Sequence, residues 1–408
     1  MSESGDFPTV AMKILISGAG IAGPTLAYWL ARYGLEPTIV EKAPRLRTGG
    51  YVIDFWGAGF DIADRMGLLP EISRKAYQVQ EVRVVNREGK RIAGFPAKTF
   101  SRAAQGRFAS LPRGDLAAII FGQIEGRTEA IFGDSVARID QSEKGVRVTF
   151  ESGMVRDFDA VVGADGLHSR VRELIFGAEC QFEKYLGYKV AAFRAAGYRP
   201  RDELVYVMHT EVGRQVGRFA LRDDQTMFLF IFADKSPGLE GGSDLCAQKV
   251  LLKKSFANCG WECPQILDLL DETGDLYFDR VSQIRMDPSE QGSWTRGRVA
   301  LLGDAASCVS LLAGQGTALA MVAAYILAGE LHLANGDCAR AFARYQKLFG
   351  PFVLNKQKAA LRFAGAFAPR SKFGLFFSNQ VMNLMRINWI TDLVVSRDIA
   401  DKISLPEY

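Results

Sequence analysis

Three acidic residues, Glu41, Asp165 and Asp304, each close a short apolar run and each has glycines nearby. This pattern points to a phosphate-bearing ligand held by backbone and carboxylate, not to covalent catalysis by a side chain. No Ser/His/Asp set is evident, and 408 residues contain only three histidines. Gly18, Gly20 and Gly23 carry the G-x-G-x-x-G spacing. The first glycine permits a tight turn, the second lets backbone approach a pyrophosphate, and the third lets helix pack on strand. Ile21 and Ala22 lie in the same turn, and phosphates rest on free N–H groups at the positive end of the helix that follows. Glu41 stands 18 residues past Gly23, where a carboxylate accepts hydrogen bonds from a ribose, and Lys42 follows it.

Further candidates are spread along the chain. Arg45 and Arg47 precede Gly49-Gly50 and the run to Asp54, a place where backbone passes close to a flat ligand. Gly50 and Asp54 join the candidate set. Arg113 opens an apolar helical pattern, where a guanidinium reaches a phosphate or a ring oxygen. Asp165-Gly166 follows the buried-looking run Ala160 to Val162, at the carboxyl edge where open α/β sheets bind ligands. Gly303-Asp304 repeats that arrangement after Val299 to Leu302. Gly314-Gln315-Gly316 then opens a small-residue helix whose first amides hold negative charge.

These residues need a scaffold, and the hydrophobic periods supply one. Ile14 to Ile16 reads as a strand, Leu26, Ala27, Leu30 and Ala31 as a helix, and Thr38 to Val40 as the next strand. A short helix is expected over 58–74, a hairpin over 81–91, and strands between 130 and 162. From 182 to 278 strand-like runs dominate, interrupted by helical stretches at 244–256 and 264–270. The predicted division is 11–80, 101–181 and 279–350 for a ligand-binding α/β unit. Residues 81–100 form an excursion towards a mainly antiparallel unit at 182–278, and 351–408 are C-terminal helices acting as lid or brace. The tail from Phe373 to Val395 is rich in Phe, Met, Ile and Trp at helical spacing.

Composition narrows the class. A net charge of +4 is too small to imply nucleic acid or an anionic membrane as partner. Six cysteines are scattered, and Cys259 and Cys263 have no histidine near them in sequence, so no metal site and reduced thiols are expected. The first residues lack an apolar core, and Leu319 to Leu327 is shorter than the roughly 20 residues a membrane span needs. A cytoplasmic protein without stable membrane insertion is the expectation, as a monomer or homodimer.

In this order, Gly18–Gly23 with Glu41, Asp165-Gly166, and Gly303-Asp304 with Gly314–Gly316, the chain resembles the class A flavoprotein monooxygenases of the para-hydroxybenzoate hydroxylase fold. The resemblance implies an α/β fold, with a Rossmann-like FAD-binding domain, an inserted mainly antiparallel substrate domain and a C-terminal helical region. It also implies FAD in an extended pose: pyrophosphate on the first helix, Glu41 on the adenosine ribose and Asp304 on the ribityl chain. The start of the Gly314–Gly316 helix would face the N1–C2=O end of the flavin. Arg113 matches the arginine that contacts FAD, and Asp165 the acid linked to both FAD and NAD(P)H handling. The implied chemistry uses NADPH or NADH as transient reductant and O2 through a flavin hydroperoxide, and it belongs to the cofactor. The product is an oxygenated aromatic or polycyclic small molecule, and Arg113-Gly-Asp-Leu and the ending Ser404-Leu-Pro-Glu-Tyr suggest the tetracycline-inactivating, polyketide-oxidising branch.

Two positions depart from the family pattern: Ser307 stands where a histidine is usual, and Leu311 where a proline is usual. Leu311 would loosen backbone lying against the flavin. It also motivates one rival, a non-redox cyclase with structural FAD; a second rival is a flavin-binding module without turnover. Substrate contacts are expected from Phe193, Met208, Arg214, Phe228 and Phe230 on the second unit, together with Leu311.

Overall fold

The computed structural model describes residues 11–47, 49–238, 244–286, 294–387 and 403–408. At its centre Lys13–Ser17 runs parallel to Glu36–Glu41 on one side and to Ala160–Gly163 on the other. Glu129–Phe132 and Val299–Leu301 extend this sheet, and the antiparallel Thr295–Arg296 completes six strands. Ile14, Leu15 and Ile16 are all fully buried, as an unbroken apolar run in a parallel sheet covered on both faces requires. The chain lays Glu36–Glu41 and Glu129–Phe132 to one side of the first strand, then crosses to the other. The strand order therefore reverses beside Ser17, the place where open α/β sheets hold ligands.

Helix Ala22–Arg32 packs against helix Gly316–Leu333, which also meets Ala58–Arg65 and Cys338–Phe367. Gly316–Leu333 is long and apolar enough to cross a membrane by length and composition, but most of it lies inside the protein core. The helix expected over 58–74 is two, Ala58–Arg65 and Leu69–Lys75, separated at Gly67, whose φ of 72° is a glycine conformation.

The second sheet has seven strands, in the order Tyr277–Ile284, Glu183–Ala196, Gln225–Ala233, Arg214–Ala220, Val205–Glu211, Glu81–Val85, Arg91–Pro96. Residues 81–96 thus join the strands of the later segment, with Glu81–Val85 parallel to Val205–Glu211. Side chains alternate across a strand, so each face has its own partners. Phe193, Val216, Phe228, Phe230 and Phe232 pack under helices Leu245–Phe256 and Cys263–Leu269. The opposite face, carrying Val190, Leu229, Ile231, Tyr206, Phe219 and Met227, meets Tyr51, Val52, Tyr77, Leu311 and Leu312 from the first unit.

Of the tail, residues 388–402 lie outside the described residues. Helix Lys372–Leu384 leaves Phe373, Phe376 and Phe377 exposed and lies along Arg91–Pro96, with Arg386 Nε donating to the Gly94 carbonyl at 2.8 Å. The last residues return to the first unit, where the Tyr408 hydroxyl donates to Glu330 at 2.9 Å and Glu407 pairs with Arg65 at 2.7 Å. Gly329 leaves room for the Tyr408 ring, since a methyl group there would sit 2.2 Å from it.

Candidate cofactor and substrate site

The glycines show how the three motifs meet. A methyl group on Gly18, whose φ is 110°, would lie 2.5 Å from the Ala164 carbonyl oxygen, and one on Gly23 would lie 2.0 Å from the Gly18 carbonyl oxygen. The first turn is therefore packed against the loop leading to Asp165. A methyl group on Gly303 would lie 3.1 Å from Ala22 Cβ, and one on Gly316 3.6 Å from Asp304 Oδ1. All three motifs converge on one groove at the strand-order reversal. Gly20 differs from its partners, because the nearest atom to its added methyl is an Arg113 guanidinium nitrogen at 3.6 Å. It borders open space.

Helix Ala22–Arg32 starts without a side-chain cap and without an acidic residue in its first turn, and so does Gly316–Leu333. Both helix starts leave amide donors and positive dipole ends for an anion. The described residues thus fit an extended diphosphate ligand. At the rim, Glu41 accepts the Ala19 N–H at 2.8 Å and the Ala43 N–H at 2.9 Å, while the exposed Arg47 stands 3.8 Å away and Lys42 is exposed.

Arg113 anchors the middle. Its N–H donates to the Tyr51 carbonyl at 3.0 Å, and its charge acts on Asp304, Tyr51 and Tyr277. Asp304 is surrounded by protein yet still reached by solvent, as the floor of a groove is. Burial pushes its carboxyl pKa up, and Arg113 opposes that shift. Burial likewise raises the Tyr51 phenol to about 12 and the Tyr277 phenol strongly, with the two ring centroids 5.5 Å apart. Both phenols stay neutral donors at physiological pH.

The remaining candidates divide. Asp165 accepts the Ser169 hydroxyl at 2.5 Å and the amides of Arg170 and Val171, so its carboxylate holds the start of helix Arg170–Ile175. Asp54 accepts the Ser110 hydroxyl at 2.5 Å, and burial raises its pKa. Gly50, at φ 111°, lies beside Arg113. Gly314 takes a left-handed φ of 65°, and Gln315 caps the helix after it. Before them Ser310 has φ 113°, strained for a residue with a side chain, and Leu311–Ala313 is one 3-10 turn. Leu311 packs against the cluster of Val190, Ile231 and Val281 on the sheet face that looks towards the first unit, and Ser307 is buried.

Substrate candidates on the second sheet separate by face. Phe193, Phe228 and Phe230 pack on each other under the covering helices, with ring centroids of 5.1 Å for Phe193–Phe228 and 6.0 Å for Phe193–Phe230. Arg214 pairs with Glu211 and donates to the carbonyls of Ser255 and Ala257, on that same outer side. Phe228, Phe230 and Arg214 belong to the packing of sheet against helix, while Phe193 packs there and also lines the inner cleft. Met208 lies on the inner face with Tyr206, two residues away on one strand.

The inner cleft is lined by Gly49, Gly50, Ala192, Arg194, Asp275 and Tyr277. Arg194 donates to the Gly50 carbonyl at 3.3 Å, and its buried Nε has no hydrogen-bond partner among the described residues. Arg194 and Tyr277, with Tyr51 beside Tyr277, are the cleft residues that sequence reasoning did not single out. A single charge inside the apolar run Val190 to Ala196 was the signal for Arg194. The aromatic residues gave none, because both faces of their strands are apolar.

With this geometry, the family described as FAD binding domain matches residues 11–341. The chain is 36% identical over 400 residues to a protein named flavin-dependent monooxygenase from an unknown prokaryotic organism, covering 98% of this chain and 100% of that one. A second flavin-dependent monooxygenase, from Legionella longbeachae serogroup 1, is 33% identical, with 97% and 98% covered. Among solved structures, tetracycline destructase Tet(51) superposes with a TM-score of 0.81 at 33% identity, covering 98% of this chain and 100% of that one.

Proposed function

This chain belongs to the FAD binding domain family, and from that premise we propose that it is a monooxygenase of polycyclic aromatic small molecules that draws its electrons from NAD(P)H. FAD is its cofactor, and when bound FAD supplies the redox and oxygen chemistry. The amides at the start of Ala22–Arg32 would hold the pyrophosphate, Glu41 the ribose and Asp304 the ribityl hydroxyls, with Arg113 between them. The uncapped start of Gly316–Leu333 would stabilise negative charge on the reduced ring system.

The observation that carries the substrate class is the cleft between the two sheets. Ala192, Phe193 and Tyr277 give it an apolar and aromatic wall, Tyr51 stands 5.5 Å from Tyr277 ring to ring, and Arg194 supplies one polar anchor. The likeness to Tet(51) supports a tetracycline-like polyketide as occupant. Closely packed walls would exclude water and turn an electron-rich carbon towards the cofactor. The reaction belongs in the cytoplasm, where NAD(P)H is available.

The test is NAD(P)H oxidation by the FAD-loaded enzyme against tetracyclines, aromatic polyketides and small phenols, with mass spectrometry of products. Oxidation stimulated by a fused-ring compound, with a product heavier by one oxygen, is expected. Stimulation by small phenols alone overturns the substrate class. A product isomeric with its substrate, formed without NAD(P)H, would establish the cyclase instead.

A further inference from the structure

On the outer face of the seven-stranded sheet, away from the cleft, four potential ligands for a soft cation come together. His209 and Glu211 stand two residues apart on Val205–Glu211 and so share a face. Cys259 lies in the link between Leu245–Phe256 and Cys263–Leu269, and Cys263 opens the second of these helices. His209, Cys259 and Cys263 are all buried, at 2%, 5% and 0% exposure. Donor atoms of His209, Glu211 and Cys259 lie within 4.8 Å of one another. Cys263 stands four residues beyond Cys259 in the same buried cluster. The sequence spacing C-x-x-x-C has no histidine near it, and the fold brings one from 50 residues upstream.

The hydrogen bonds decide what these atoms can do. His209 Nδ1 is 3.0 Å from the Val85 carbonyl oxygen, which only accepts, so Nδ1 carries the proton. In the neutral ring Nε2 then presents a lone pair, and it faces Glu211 Oε1 at 3.3 Å. A backbone carbonyl fixing the distant nitrogen is the usual support of a metal-binding histidine. The imidazole nitrogen, the carboxylate oxygen and the Cys259 sulfur lie within 4.8 Å of one another, close enough for one ion to bridge them.

The frame stands independently of any occupant. The link is held in place by the Gly260 N–H on Glu211 Oε1 at 3.2 Å and the Trp261 N–H on the Arg87 carbonyl at 2.7 Å. Asn258 and Trp261 take positive φ values of 61° and 59°, strained for residues with side chains. Glu211 Oε2 pairs with Arg214, and Oε1, which accepts the Gly260 N–H, has a second lone pair for the cluster. Arg87 stands 3.5 Å from that oxygen, so two guanidiniums lie beside the single surplus negative charge of two thiolates and a carboxylate around a divalent ion.

We propose that His209, Glu211, Cys259 and Cys263 form a zinc site that clamps the helix pair onto the seven-stranded sheet. Imidazole, thiolate and carboxylate donors in a four-fold set suit Zn2+ above harder ions. The role is structural, since the site lies on the far face of the sheet from the cleft. The assignment does not depend on the substrate.

The FAD-loaded protein, reduced and stripped with chelator, is incubated with zinc chloride, desalted and measured by elemental mass spectrometry. The expected result is about one zinc per chain, with Cys259→Ser and His209→Gln each retaining under a tenth of that and Cys180→Ser retaining all of it. Cobalt(II) should give the intense red-region bands of a tetrahedral thiolate site, clear of the flavin, in wild type and in Cys180→Ser. Zinc should also raise the thermal midpoint of wild type. If Cys259→Ser is insoluble, the cobalt spectrum of wild type decides. Under a tenth of an equivalent of zinc in wild type overturns the proposal, and so does a cobalt spectrum without thiolate bands. Full zinc retention in soluble Cys259→Ser and His209→Gln overturns it equally.

Discussion

Gly18→Ala and Gly20→Ala separate a glycine needed by the protein from one needed by its ligand. At Gly18 the new methyl would lie 2.5 Å from the Ala164 carbonyl oxygen, backbone that cannot swing aside, at a φ of 110° that side chains rarely adopt. Backbone strain of that kind costs roughly 1–3 kcal/mol, and overpacking typically adds about 1–3 kcal/mol. The flavin-free Gly18→Ala protein should therefore lose roughly 2–6 kcal/mol of stability. At Gly20 the only close neighbour is the end of the Arg113 side chain at 3.6 Å, an ordinary contact. Its flavin-free stability should stay within about 1 kcal/mol of wild type. The methyl would instead stand where a pyrophosphate approaches the backbone. Losing one charge-assisted hydrogen bond costs about 1.5–3 kcal/mol, or roughly ten- to a hundred-fold in FAD affinity. Denaturant unfolding of both apoproteins and FAD titration by flavin fluorescence measure the two effects. The reasoning fails if Gly20→Ala binds FAD as tightly as wild type, or if it destabilises the apoprotein as much as Gly18→Ala.

Other expectations follow from the same geometry. Asp304→Asn should leave apoprotein stability near neutral pH unchanged or higher, because burial already disfavours the charged carboxyl. It should nevertheless weaken FAD binding by roughly 1.5–3 kcal/mol, and Glu41→Ala should do the same, both read by titration. Leu311→Pro should fold, since proline is favoured at the first position of a helical turn and Leu311 opens Leu311–Ala313. It should lower the peroxide-to-product ratio with a confirmed substrate, and an unchanged ratio would show that this turn does not loosen the flavin side. His168 sits 3.0 Å from Glu179 and 3.2 Å from Asp279, and its bonds to Asp279 and then Glu179 raise its pKa to about 10. A raised histidine pKa stabilises fully below the unfolded value of about 6.5 and fades as pH climbs through the folded value. The stability gap between wild type and His168→Gln should shrink from about pH 6.5 to about pH 10. A gap constant over that range would exclude the ion pairs as its source.

The sequence alone determined the parts whose cause is local. Gly18, Gly20, Gly23 and Glu41 were legible because turn, helix start and carboxylate follow one another along 30 residues of chain. Asp304 and Gly314–Gly316 were legible because each stands at the end of an element marked by an unbroken apolar run or by small residues. Tertiary structure alone decided which face of the second sheet looks into the cleft. Gln225–Ala233 and Glu183–Ala196 are apolar on both faces, one buried by helices and the other by the first unit, so alternation carried no preference. Phe228 and Phe230 therefore went to the helix side, while Arg194 and Tyr277 came to the cleft. Distance in sequence hid the rest. Tyr51 meets Tyr277 where the first unit packs on the inner face of the seven-stranded sheet, and His209 meets Cys259 where the helix link packs on its outer face, and no local pattern encodes such contacts.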